Sequence, residues 1–291
     1  MTNKTINIKG SLMDFSVPKV MGILNITPDS FYAGSRKQTE EDIRQRITQI
    51  VEDGADIIDI GGYSSRPSAA FVSEQEEISR LDYALPILFE VFPEAIVSVD
   101  TFRSEVARKC VEKYGVAIIN DISAGSLDEN MFDVVADLNV PYIIMHMQGS
   151  PQTMMQHTKY DNLLQDIFLY FSEKINQLHL KGVNDIIVDP GFGFSKTTEQ
   201  NYALMNSLEE FRIFDCPILV GISRKTMIRD VLNTSPEESL NGTTVLNTLS
   251  LTKGANILRV HDVKEAVEAV KLFSTSYQLS VNGNAPIKLI I

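Results

Sequence analysis

Cysteine is scarce. Cys110 and Cys216 are the only two in 291 residues, and they form no CxxC pair. Both stand in apolar surroundings, so they are expected to be buried free thiols. A fold that needs no disulfide suits a reducing compartment, and the cytoplasm is the expected location. Excess basic charge is also lacking. The formal net charge is −12, the opposite of the basic footprint of a nucleic-acid binder. An acidic chain that binds an anion must gather its cations locally, so each Arg or Lys at a loop start matters. Long apolar runs are missing: none approaches the ~18 residues of a membrane span. The opening MTNKTINIKG has no apolar stretch of the kind a signal peptide carries. His146 has no His or Cys partner at ligand spacing, so it is not expected to be a metal ligand.

What is present is an ordinary globular composition, 44% hydrophobic and 22% charged. Short β-rich runs recur: KVMGILNI (19–26), ADIIDIGG (55–62), AIVSVD (95–100), VAIINDI (116–122), PYIIMHM (141–147), NDIIVDP (184–190), CPILVGI (216–222) and NILRV (256–260). They are nearly continuous apolar runs, as strands of a covered parallel sheet are. Amphipathic segments lie between them. Ile43, Ile47, Ile50 and Val51 fall at i, i+4, i+7 and i+8, one helix face. Val263, Val267 and Val270 share another, with Asp262 placed to cap it. Eight strand–helix pairs imply an α/β fold, a single-domain (β/α)8 TIM barrel over residues 19–273. An open doubly wound sheet would be expected to show a glycine-rich fingerprint after its first strand, and NITPDSF is not one. Residues 1–18 are expected to form a hairpin over the barrel bottom, and 274–291 a tail of no assigned role.

In such a barrel the C-terminal strand ends meet at one mouth. In strand order they carry Asn25, Thr27, Asp29 and Ser30; Ser64, Ser65 and Arg66; Asp100; Asn120 and Asp121; His146 and Gln148; Asp189; Ser223, Arg224 and Lys225; Arg259 and His261. A polar group at one strand end is ordinarily a cap, and His146 reads as a packed histidine. Polar groups at all eight ends converge on a pocket. Asp100, Asn120 and Asp189 suit a heterocycle with adjacent N–H donors. Ser65, Arg66, Arg259 and His261 suit a phosphate or pyrophosphate. Asn25 and neighbouring oxygens suit Mg²⁺ held through water.

Several motifs together resemble dihydropteroate synthase, in that family's order: GILNITPDSF, IDIGGYSSRP, VSVDT, IINDI, MHMQGSPQTM, DPGFGFSK, GISRK and RVHDV. The resemblance spans about residues 18–273. It implies condensation of 6-hydroxymethyl-7,8-dihydropterin pyrophosphate with p-aminobenzoate, giving 7,8-dihydropteroate and pyrophosphate in folate biosynthesis, by a dissociative route. It assigns catalysis to Asp100, Asp189, Lys225, Arg259 and His261. Pterin binding falls to Asp100, Asn120, Ile122, Met145, Asp189, Lys225 and Arg259, with Ile23 as a further wall. Pyrophosphate falls to Asn25, Ser65, Arg66, Arg259 and His261, and p-aminobenzoate to Ser65, Arg66, Pro67, Phe194, Ser223 and Lys225. Thr27, Pro28, Asp29, Ser30 and Phe31 form a mobile loop, and Asn25 helps place Mg²⁺. The resemblance further implies a homodimer and sulfonamides as inhibitors, with no nucleic acid or membrane as partner.

The second loop departs from the family's common GGESTRPG: Tyr63, Ser65 and Ser68 replace Glu, Thr and Gly. Ser195 stands where glycine often precedes the lysine, with little effect expected. Two alternatives share the barrel: a methyltetrahydrofolate–corrinoid methyltransferase, which has no use for SSRP or RVH, and a non-catalytic pterin-binding homologue.

Overall fold

A computed structural model describes residues 4–26, 36–64 and 71–282. The N-terminal hairpin pairs β1 (Thr5–Ile8) antiparallel with β2 (Ser11–Asp14). The eight sequence runs then contain the eight strands β3 (Lys19–Asn25), β4 (Ile57–Gly61), β5 (Val97–Asp100), β6 (Ile118–Asp121), β7 (Tyr142–Met145), β8 (Ile186–Asp189), β9 (Leu219–Val220) and β10 (Ile257–Val260). They form one parallel sheet in the order β8-β7-β6-β5-β4-β3-β10-β9. A parallel bridge from Val188 to Ile218 closes the ring, so this is the expected barrel.

The continuous apolar runs follow from burial on both strand faces. One alternate set faces the helices: Val20 and Leu24, Ile58 and Ile60, Val97 and Val99, Leu258 and Val260 belong to the outer core. The other set faces inward. Met21, Ile57, Ile118, Ile143, Ile187, Leu219 and Ile257 form a second cluster at the lower end, with Ile6, Ile8 and Phe15 of the N-terminal segment. The hairpin therefore plugs the barrel bottom, and its Asn7 amide donates to Asp185 Oδ1 at 2.8 Å. Two residues further along each strand, the side chain again points inward. Those positions are Ile23, Asp59, Asn120, Met145, Asp189, Gly221 and Arg259. The barrel interior thus changes from aliphatic to polar along its axis, and the polar end is the mouth.

Helix α1 (Arg36–Glu52) buries Ile43, Ile47 and Ile50 against the strands. The last helix among the described residues (Val263–Asn282) buries Val263, Ala266, Ala269 and Val270. It runs past Phe273, so residues 274–282 continue the final barrel helix rather than starting a separate tail. Asp262, expected to cap it, gives its carboxylate to Arg224 instead. Cys110 and Cys216 are free and buried. No helix among the described residues is long and apolar enough to cross a membrane.

Candidate active site

At the polar end of the barrel, one guanidinium joins three strands. Arg259 on β10 donates from Nε to Asp59 Oδ2 and from Nη2 to Asp100 Oδ2, each at 2.6 Å. Asn120 on β6 donates from Nδ2 to the same Asp59 oxygen at 3.1 Å. The register explains the meeting: Asp59 lies beside Ile23 and Ser98, and Asp100 beside Asn120. Asp59 is fully buried, and its Oδ1 has no partner. Two carboxylates fix the guanidinium plane more tightly than either alone, because each bond sets one edge of the fork.

Asp189 closes the pocket opposite. Its Oδ1 accepts from the Gly191 amide at 2.8 Å, and Lys225 lies close enough to favour its charge. Burial still raises its pKa. Burial also lifts Asp100 to about 7, against the pull of Arg259 and with the repulsion of Asp59, Glu77 and Asp121. Lys225 falls to about 8, chiefly through burial. Fully ionised, Asp59, Asp100 and Asp189 would set three negative charges against the two of Arg259 and Lys225. A proton, or a ligand rich in N–H donors, balances the difference.

The loop after β8 can approach this pocket because it is glycine-rich. Gly191 has φ +75°, and a Cβ there would stand 2.1 Å from the His146 carbonyl oxygen. Gly193 has φ +80°, and its Cβ would stand 2.9 Å from Lys225 Cδ. The lysine therefore lies over the loop, donating to the Phe192 carbonyl with its ammonium 4.5 Å from the Phe194 ring centre. Beneath the same loop, buried Lys196 donates to the carbonyls of Gly191 and Phe194, at 3.0 and 3.1 Å. His146 is thus a packed histidine, its Nδ1 3.0 Å from Lys196 Nζ. Ser195 holds φ +47°, the conformation glycine would favour, and its hydroxyl accepts from the Gln148 amide at 3.0 Å. Ile122, Met145, Met147, Met154 and Phe194 form a small apolar cluster, with Phe102 packed on it.

On the other side, a cleft of about 390 Å³ is lined by Ile23, Asn25, Arg46, Arg224, His261 and Asp262. Arg224 is matched by Asp262 through two hydrogen bonds of 2.9 and 2.7 Å. His261 is tied to Ser223, which accepts from its backbone amide at 3.2 Å and sits 3.1 Å from its Nδ1. Burial and the neighbouring Arg259 lower the His261 pKa to about 4. Near pH 7 it is a neutral hydrogen-bonding group.

The root of the second loop has its own ties. The Tyr63 hydroxyl accepts from Gln152 Nε2, on the loop after β7, at 2.5 Å. Its ring meets Phe102 edge to face at 5.2 Å. The Arg103 guanidinium lies 5.5 Å from Tyr63 and 5.0 Å from Phe102 while paired with buried Glu77.

Asp100, Asn120, Asp189, Lys225 and Arg259 are therefore brought together, while Asn25 and His261 line the adjoining cleft. Thr27, Pro28, Asp29, Ser30, Phe31, Ser65, Arg66, Pro67 and Ser68 lie outside the described residues. Asp121, counted at the mouth from sequence, faces the helical shell instead. Its carboxylate accepts from Tyr142, Ser123 and Gly125. Sequence reasoning does not reach Asp59, because it draws ligands from the C-terminal ends of the runs and Asp59 lies inside one. The available signal was a carboxylate inside an apolar run, two positions after inward-facing Ile57.

Comparison with known proteins gives a consistent result. The sequence model of the family described as pterin binding enzyme matches residues 21–261. The dihydropteroate synthase of Escherichia coli K12 is 41% identical over 276 residues, covering 94% of this chain and 97% of that one. That of Haemophilus influenzae is 37% identical over 266 residues, covering 91% and 96%. Among solved structures, Yersinia pestis dihydropteroate synthase in a sulfonamide drug complex superposes with TM-score 0.86 at 37% identity, covering 94% of this chain and 99% of that one. The Xanthomonas albilineans enzyme with 4-aminobenzoic acid superposes with TM-score 0.84 at 34% identity, covering 98% and 100%.

Proposed function

The chain belongs to the pterin-binding enzyme family and, within it, to the dihydropteroate synthases, transferases of folate synthesis; from that premise we propose how its own residues divide the work. The pterin lies in the polar end of the barrel. Its N–H edge meets Asp189 and Asn120, and its ring stacks on the Arg259 guanidinium, which Asp59 and Asp100 hold in one plane. Ile122 and Met145 supply apolar wall. The observation that carries this reading is the Arg259 guanidinium held by both Asp59 and Asp100 at the polar end of the barrel.

The pyrophosphate occupies the adjoining cleft, near Asn25 and His261. The bond from the pterin methylene carbon to the bridging oxygen breaks, and pyrophosphate leaves with the electron pair. The methylene cation is delocalised into the dihydropterin, where Asp100 and Asp189 stabilise it electrostatically. The neutral aniline nitrogen of p-aminobenzoate then attacks with its lone pair and loses a proton. Ser65, Arg66, Pro67, Phe194, Ser223 and Lys225 shape the p-aminobenzoate site in this reading, and a sulfonamide would compete there. The loop over Thr27–Phe31 excludes water that would otherwise trap the cation.

Among the described residues no three His, Cys, Asp or Glu side chains gather to hold a metal. Asn25 offers one neutral oxygen at the cleft. That donor set fits a Mg²⁺ that takes most of its ligands from phosphate oxygens and water. Bound so, the ion would offset charge on the leaving group.

We further propose a homodimer, to which exposed Val231, Leu232, Val245 and Leu249 on the outer helices contribute, and a cytoplasmic location in keeping with two free thiols. Light scattering of the purified chain checks the first. Pyrophosphate release from the pterin pyrophosphate, dependent on p-aminobenzoate and Mg²⁺, tests the activity. Normal pterin binding with no release would instead favour a non-catalytic homologue.

A further inference from the structure

Among the described residues, the pyrophosphate cleft has little unpaired positive charge. Arg224 is neutralised by Asp262 through a two-pronged pair. His261 is uncharged near pH 7. Arg259 is committed to Asp59 and Asp100 on the pterin side. Among the described residues, the remaining cation lining the cleft is Arg46, which reaches in from α1. Its Nη2 donates to the His261 carbonyl at 2.7 Å and, more weakly, to the Ile23 carbonyl at 3.4 Å. Among the described residues no carboxylate lies in ion-pair range of it. Carbonyl partners orient a guanidinium but do not cancel its charge. A guanidinium has five N–H donors, and these two bonds engage only one of its nitrogens. Burial disfavours the charge on this half-buried guanidinium, Asp262 and Asp53 offset that only in part, and an anionic ligand beside it would offset more.

We propose that Arg46 is a diphosphate-binding residue of this site, an additional cation that holds the pyrophosphate moiety of the pterin substrate and of the leaving product. Its bond to the His261 carbonyl fixes it against the end of β10, and Ile23 and Asn25 on β3 complete the same wall. The sequence hid this role because Arg46 lies in the middle of an amphipathic helix, away from every strand end. Only the packing of α1 against β3 brings its tip to the mouth. The proposal rests on the synthase reading above, so its test must not depend on turnover.

The experiment compares the wild-type chain with Arg46→Gln and Arg46→Lys by calorimetry, with Mg²⁺ present and two probes: inorganic pyrophosphate, and 6-hydroxymethylpterin, which lacks the diphosphate. Removing one charge-assisted hydrogen-bonding partner should weaken pyrophosphate binding at least ~10-fold in Arg46→Gln. Arg46→Lys should fall between, since it keeps the charge and loses the fork. Hydroxymethylpterin affinity should stay within about twofold, because that pocket is built from other strands. Pyrophosphate affinity unchanged in Arg46→Gln would overturn the proposal. So would equal loss of both probes together with a lowered Tm, which would make Arg46 a pin for α1 only. Should Arg46→Gln fail to fold, Arg46→Lys decides: a selective loss for pyrophosphate upholds the role, and equal affinity overturns it. A wild-type chain that binds pyrophosphate without forming dihydropteroate would sink the synthase reading and leave this one standing.

Discussion

Asp59→Asn is the sharpest probe of the pocket's charge balance. The substitution keeps shape and removes one negative charge from a buried group that anchors Arg259 at 2.6 Å. Two effects follow, and they are separable. First, Asp100 is held up to about 7, and Asp59 is one of the charges holding it there. Both carboxylates bond to one guanidinium, so they sit within a few ångströms of each other. Removing a like charge at that range in a protein interior lowers the survivor's pKa by about 1–2 units. If the reaction needs Asp100 ionised, kcat/KM rises with pH through that group. The acid limb of the profile should therefore move to lower pH by about 1–2 units. Second, Arg259 loses one of its two charged anchors, and maximal kcat/KM should fall at least ~10-fold. The assay is pyrophosphate release across pH 5–9, with hydroxymethylpterin binding and Tm measured alongside. An acid limb that stays in place, or moves to higher pH, would refute the charge reasoning even if activity fell. Wild-type activity at every pH would refute any role for Asp59.

Three further outcomes are expected. Arg259→Ala removes the stacking plane and the partner of two buried carboxylates, and should lower kcat by at least ~10²-fold; near-normal turnover would contradict the site as described. Gly191→Ala places a Cβ 2.1 Å from the His146 carbonyl at a left-handed φ, so thermal unfolding should show a loss of roughly 3 kcal/mol or more, or no folded protein. Tyr63→Phe keeps the ring on Phe102 and Arg103 but removes the acceptor for Gln152. It should raise KM for p-aminobenzoate about 3–10-fold with Tm nearly unchanged, the scale of one partly exposed hydrogen bond; equal KM values would show that this tie has no bearing on the second loop.

The strands and their order in the chain were legible from the sequence, because a covered parallel strand must be apolar on both faces. ADIIDI and CPILVGI could hardly be anything else once eight such runs alternated with helical patterns. The residues at the ends of those runs followed, since parallel strands send their C-termini to one mouth. The sequence thereby determined the barrel, the polar mouth, and Asp100, Asn120, Asp189, Lys225 and Arg259 as its contents.

Tertiary structure decided what those residues do to one another. Asp59 and Asp121 are both carboxylates on apolar strands, yet one faces the barrel axis and the other the helices, a difference of one step in strand parity. Whether His261 carries charge depends on burial and on Arg259 beside it, and neither is written in RVHDV. The availability of Arg46 depends on where α1 packs, and the commitment of Arg224 on where Asp262 lies. Local sequence sets which groups a strand end carries. Charge state and pairing are set by distances between segments far apart in the chain, which only the closed barrel fixes.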